Sequence, residues 1–451
     1  MPPPKYLRIA ADIAQQIDTQ VLKTGQKLPT HRQLAQRYGT TTVTVSKAYQ
    51  ELIKQQRIES FIGKGSFVKQ PPSITDVILA NKEHSEANLS ILQPINVGQN
   101  SLLNHQLALI AQEKSHGLFD TYVENSGHDI HKQAGIKWCQ HYTEIDINPE
   151  QVLLANGAQN ALFSLLQQLV EPGDSVAVET FTYPGIISIA QQLGINLVGI
   201  GLDHAGICPE KLERAIIEKN IKAAVVIPSH QNPCGITMPA QRRHETAEVI
   251  KKHNIYLIED DIYAFLNPAR LPAISQLAPE QCFYLSSLSK AVSPGLRCAY
   301  MVVPKLWVET MNVMTRASLW MPPPLMFELA SRLIEGGQAF ELAQYQKNSA
   351  SKRQQIATRC LTQFALHREP NSFHVWAELP THWNANQFYV AAKKANITVN
   401  ASKHFCVSEG DYIDAIRISL VACDSDVKLE QSLITLNNLA LSDNKCALDD
   451  Y

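Results

Sequence analysis

Cys282-Phe283-Tyr284-Leu285 is a short apolar run that reads as a buried strand, and Ser286-Ser287-Leu288-Ser289-Lys290 follows it directly. A lysine just past a buried strand is half desolvated. Desolvation lowers the amine's pKa and frees its lone pair to condense with an aldehyde. Ser287, Ser289 and, seven residues past the lysine, Arg297 flank it. Two hydroxyls and a guanidinium fork are what a phosphate dianion needs. An aldehyde and a phosphate on one small molecule describe pyridoxal phosphate. Taken alone, S-x-x-K fits an ordinary surface lysine near a basic loop better, so the other polar clusters carry the decision.

Those clusters fall at the ends of other apolar runs. Gln151–Ala155 reads as a strand, and Asn156-Gly157-Ala158-Gln159 opens a helix whose free N–H groups suit a phosphate. A plain strand–helix turn is the alternative. Ser175–Glu179 precedes Tyr183, which suits stacking on a flat ring or a place in the core. Ala223–Ile227 leads to Asn232, a neutral amide placed by a proline turn. Ile255–Ile258 leads to Glu259-Asp260-Asp261 and Tyr263. A carboxylate there can hold a pyridinium nitrogen protonated, Tyr263 can donate to a ring phenolate, and Asp261 is positioned to cap the next helix. Arg417 lies inside the apolar run Ala415–Ser419 and demands an anion, such as a substrate carboxylate.

The elements that must position these residues alternate strand and helix from about residue 95 to 440, the signature of a mostly parallel α/β sheet. Ligands collect at the carboxyl ends of such strands. The chain has 451 residues, 45% hydrophobic and 18% charged, which is globular composition with room for two to three domains. No apolar run is long enough to span a bilayer, and Met1–Lys5 does not resemble a signal peptide. Nine cysteines without a C-x-x-C pair argue against a disulfide framework or a metal site. A cytoplasmic protein with no membrane partner is expected.

Charge divides the chain. Residues 1–70 carry eleven Lys/Arg against four Asp/Glu, a net of +7, so the remainder carries −9 of the total −2. A basic head on an acidic body points to a nucleic acid as the head's partner, and the helix-turn-helix pattern that follows makes it double-stranded DNA. Tyr6, Ala10, Ile13 and Ile17 have helical spacing. Thr30-His31-Arg32-Gln33 matches a capping box and Gly39 ends the short helix it opens. Thr41 can cap a third helix with Val45, Ala48, Tyr49, Leu52 and Ile53 on its inner face. Arg32, Thr42, Thr44 and Lys47 stand where bases and phosphates are read. Two strands around Gly63-Lys64-Gly65 form a wing with a cation, Lys64, at its tip. The expected domains are therefore 1–69 (head), 70–94 (polar connector), 95–440 (body, with a smaller C-terminal domain from about 328) and 441–451 (tail).

The head resembles the winged helix-turn-helix of GntR-type bacterial regulators over Leu28–Ala35, Thr44–Tyr49 and Gly63–Val68. Thr42 stands where that family commonly has an arginine, so its usual operator bases do not carry over. The body resembles a fold-type I, class I/II aminotransferase, a large mostly parallel α/β domain with a smaller C-terminal α+β domain. That resemblance implies covalent attachment of the cofactor at Lys290, Asp260 on the pyridine nitrogen and Asn232 and Tyr263 on the ring oxygen. It further implies Tyr183 stacked on the ring, with Gly157, Ala158, Gln159, Ser287, Ser289 and Arg297 on the phosphate. Tyr122 would cross to the partner's phosphate in a head-to-tail homodimer, and Arg417 would bind the effector's carboxylate. Cys234 and Asn371-Ser372 depart from the pattern, the latter at a place where relatives have glycines. The combination resembles the MocR subfamily. It implies a pyridoxal phosphate-dependent transcriptional regulator that senses an amine, an amino acid or the cofactor itself. The alternative is a working aminotransferase with an incidental head.

Overall fold

The computed structural model describes residues 4–18, 21–23, 25–54, 57–61, 65–68, 87–113, 118, 122, 127–407 and 412–442. The chain forms two compact units, Met1–Leu79 and Ala80–Tyr451. In the first, helices Lys5–Asp18, His31–Arg37 and Thr42–Lys54 precede an antiparallel hairpin, Ile58–Phe61 with Gly65–Val68. Val45, Ala48 and Leu52 are fully buried against Ile9, Ile13 and Leu34, as the 3.6-residue spacing requires. The capping box forms: Gln33 N donates to Thr30 Oγ1 at 3.4 Å, and Thr30 N donates to Gln33 Oε1 at 2.9 Å. Thr44 N donates to Thr41 Oγ1, which caps the third helix.

In the second unit a seven-stranded sheet runs in the spatial order Val152–Asn156, Cys298–Val302, Cys282–Ser287, Tyr256–Asp260, Ile221–Val226, Ser175–Glu179, Asn196–Ile200. Every pairing is parallel except those of Cys298–Val302, which is antiparallel to both neighbours. The central strands are buried on both faces, so they read as continuous apolar runs rather than alternating ones. Among the described residues no helix is long and apolar enough to cross a membrane.

A second, antiparallel sheet orders Ala365–His367, His374–Glu378, Ala415–Ser419 and Asn400–Ala401. Its core gathers Ile356, Phe388, Ile416 and Leu433. Helix Pro324–Glu335, which spans the expected boundary near 328, instead buries Phe327, Leu333 and Ile334 in the core around the larger sheet. Residues 87–94, which read as connector by polarity, are folded into this unit. Ala87–Asn88 pairs parallel with Ile397–Thr398, and Leu89 is fully buried in the smaller core. The earlier connector, 70–86, and the tail beyond 442 lie outside the described residues. Two backbone bonds join the sheets' loops: Thr182 N donates to Phe405 O at 2.9 Å and Val407 N to Thr180 O at 3.0 Å.

Candidate functional site

Four strand ends of the large sheet and one strand of the small sheet converge on Lys290. The chain leaves strand Cys282–Ser287, and Lys290 Nζ donates to Leu92 O at 2.6 Å. Burial, then the neighbouring Arg417 cation, pushes its ammonium down to about 8. The Asp260 carboxyl pulls the other way but does not offset the burial. Asp260 is 3% exposed, and burial followed by the Asp261 carboxylate raises it to about 7. Its Oδ1 has no hydrogen-bond partner among the described residues. A buried, unpartnered carboxyl oxygen is costly unless a cationic or N–H group is meant to meet it.

Beneath Asp260 lies a charge cluster that the residue types alone do not disclose. Arg243 is fully buried, with Nη1 3.5 Å from Glu259 and 3.6 Å from Asp261. It also donates to Ser229 Oγ at 2.9 Å and to Pro228 O. One guanidinium thus ties the end of the Tyr256–Asp260 strand to the loop that carries Asn232. Asp261 does not cap the next turn, because its carboxyl faces Arg243 instead. In that loop, Gln231 Nε2 donates to Phe181 O at 2.7 Å, and Cys234 N donates back to Gln231 Oε1. Asn232 is left aimed at Arg417, whose Nη1 donates to Asn232 Oδ1 at 2.7 Å. Arg417 Nη2 donates to Ser90 O, and the guanidinium lies 4.9 Å over the Phe405 ring. Burial lowers Arg417 to about 10, so it stays a cation at neutral pH.

Residues 88–434 match the family Aminotransferase class I and II, and residues 5–68 match Bacterial regulatory proteins, gntR family. The chain belongs to the class I and II aminotransferase family. Over 437 residues it is 29% identical to the uncharacterized HTH-type transcriptional regulator YdeF of Bacillus subtilis, covering 97% of this chain and 94% of that one. It is 25% identical to PtsJ of Salmonella typhimurium, a vitamin B6 salvage pathway transcriptional repressor, over 90% of this chain and 92% of the repressor. The fold matches the solved structure of LysN, an alpha-aminoadipate aminotransferase of Thermus thermophilus, with a TM-score of 0.73 at 21% identity, covering 89% and 99% of the two chains.

The aminotransferase body fits pyridoxal phosphate on its own geometry. Gly157 has φ +84°, and a Cβ there would lie 2.0 Å from Arg297 Nη2, so only glycine lets the guanidinium close on the turn. Helix Ala158–Leu169 starts at that turn with no side-chain cap on its first amides, the arrangement that accepts a phosphate. Ser287 Oγ contacts Ser289 at both N and Oγ, 3.1 Å each, which holds the two hydroxyls together. Gln159 Oε1 has no partner among the described residues. Tyr183 is partly buried beside Gln159 and Gly185, and burial raises its phenol. Tyr263 is 3% exposed, and its phenol is raised in the same way.

Other predicted residues stand apart. Tyr122 is 74% exposed, with its ring 5.5 Å from Trp320. In the head Arg32, Thr42 and Lys47 are exposed, while the Thr44 hydroxyl is engaged 2.9 Å from Thr41 Oγ1. Lys64 lies outside the described residues. Sequence reasoning missed Val43, 65% exposed on the third helix, and it missed Ser90, Leu92, Phe405 and Arg243. Leu89, Leu92 and Ile95, three apart at the end of a polar connector and all buried, were the available signal for the first two.

Proposed function

We propose that this protein is a cytoplasmic, pyridoxal phosphate-dependent transcriptional regulator that binds operator DNA as a homodimer and responds to a small amine or amino acid. The observation that carries this reading is the coexistence, in one chain, of a site equipped for the cofactor and a winged helix-turn-helix with its recognition helix exposed. A metabolic transaminase has no use for the second. When bound, the cofactor supplies an aldehyde and an electron-poor ring. The chain's residues do the rest. Lys290, neutral in an appreciable fraction near pH 8, is the attacking amine. Asp260 takes the proton-sharing position on the ring nitrogen, Asn232 and Tyr263 hold the ring oxygen, and Arg417 receives a carboxylate.

Tyr122 supports the dimer. It is solvent-exposed beside Trp320 and is free to serve a second copy's phosphate. PtsJ, a repressor of a vitamin B6 pathway by its name, offers a precedent for the regulatory role. The experiment is operator binding by the full chain, by Lys290→Ala and by Arg417→Ala, with and without amino acids. Both variants should bind DNA and lose or blunt the response. A native protein that binds no duplex at any salt concentration would refute the reading.

A further inference from the structure

The stretch 87–95 crosses the site as a strap. At its start, Ala87–Asn88 pairs with Ile397–Thr398, Leu89 N donates to Thr398 O at 2.7 Å, and Ser419 N donates to Leu89 O at 2.8 Å. At its end, Ile95 exchanges both backbone groups with the Gln346 amide, at 2.8 Å each. Between these anchors the strap touches the two residues that define the site. Ser90 O accepts from Arg417 Nη2 and, at 2.9 Å, from Asn400 Nδ2, while Leu92 O accepts from Lys290 Nζ. Asn88 Oδ1 accepts from Ser90 N and Oγ and fixes the turn between them.

A carboxylate pairs with a guanidinium through two neighbouring N–H groups. Both bidentate edges of an arginine include Nη2, one with Nε and the other with Nη1. On Arg417, Nη1 is engaged by Asn232, Nε has no partner among the described residues, and Nη2 holds Ser90 O. Nη2 carries two hydrogens and Ser90 O takes one of them, so a forked ligand on either edge shares Nη2 with the Ser90 carbonyl. Two acceptors crowded on one nitrogen repel, and a charged acceptor outcompetes a neutral one. Attachment of an aldehyde at Lys290 also removes the ammonium that Leu92 O now accepts from. Resting on the sensor reading above, we infer that Ser90 O occupies the seat of the ligand carboxylate, and that an amine bearing a carboxylate signals by displacing the strap from Arg417. The strap is the first described segment of this unit, and the chain runs from it back to the head. An amine without a carboxylate reaches Lys290 and leaves Ser90 in place.

The test is amide exchange over residues 87–95 in the full-length, cofactor-loaded protein. The probes are the twenty L-amino acids and their decarboxylated amines, with the cofactor's absorbance recorded in parallel. An amino acid that shifts the absorbance should raise exchange at Ser90, whose amide is held by Asn88 Oδ1, about tenfold or more, the scale of a lost local hydrogen bond. Its amine should shift the absorbance without that rise. Asn400→Ala, which removes the second donor to Ser90 O, should raise exchange without ligand and lower the amino-acid concentration needed. An amino acid that shifts both absorbance and DNA binding with the strap's exchange unchanged overturns the strap and leaves the sensor standing. Amines that loosen the strap as amino acids do overturn the carboxylate displacement. If no compound shifts the absorbance, the sensor reading fails, and the strap with it.

Discussion

Lys290 and Asp260 are shifted toward their neutral forms by the same burial, one from the basic side and one from the acidic side. Two predictions belong to these residues. Covalent attachment of pyridoxal phosphate to cofactor-free protein should accelerate with pH with a midpoint near 8, set by Lys290; a stopped-flow absorbance series that keeps rising to the ordinary lysine range would contradict it. For Asp260, the folded pKa lies above the unfolded one, so between about 4 and 7 the folded state holds a proton the unfolded state has released. That makes cofactor-free protein lose stability as pH rises through this window. Asp260→Asn should therefore raise Tm without cofactor at pH 7.5, with the gain vanishing toward pH 4. Strand-end residues of this kind were legible in the sequence because each follows its own apolar run. For Ser90 and Leu92 the spacing of Leu89, Leu92 and Ile95 marks only burial, since the two act through backbone carbonyls, and a carbonyl is the same in every residue.

Among the elements, the joint between strand Tyr256–Asp260 and the 228–235 loop rests on Arg243. Replacing it by methionine strands two buried carboxyls, and breaking such a cluster costs about 3–5 kcal/mol. Denaturant titration of Arg243→Met should show that loss at pH 8 and a smaller one at pH 5. The sign follows because burial and Asp261 already raise Glu259 toward neutral pH, so acid supplies the missing proton. In the head, Thr30→Ala should cost about 1 kcal/mol through the lost cap, read by the thermal melting of the head. The strand-and-helix order of both units was legible from periodicity. The antiparallel insertion of Cys298–Val302 was not, because direction leaves no mark in a run buried on both faces. The membership of residues 87–94 in the body showed only in the spacing of Leu89, Leu92 and Ile95, because a two-strand pairing held by the main chain asks little of side chains.

For the molecule as a whole, charge separates the tasks. A head of +7 on a body of −9 confines DNA contact to the head, and its affinity should fall steeply with salt. Lys47→Ala should flatten the log–log salt slope by about one unit. Val43→Ser should keep the slope and weaken the preference for a thymine, whose methyl suits an exposed valine. A fluorescence-anisotropy salt series separates the two outcomes. The pairing of Ala87–Asn88 with Ile397–Thr398 also fixes where evolution can recombine such chains. A body inherited from residue 95 onward would leave an empty slot at Leu89, worth about 2 kcal/mol or more, and an Arg417 held by Asn232 without the Ser90 carbonyl. Heads can be exchanged between relatives by crossovers that fall before residue 87. A crossover a few codons later separates Arg417 from the Ser90 carbonyl that it holds.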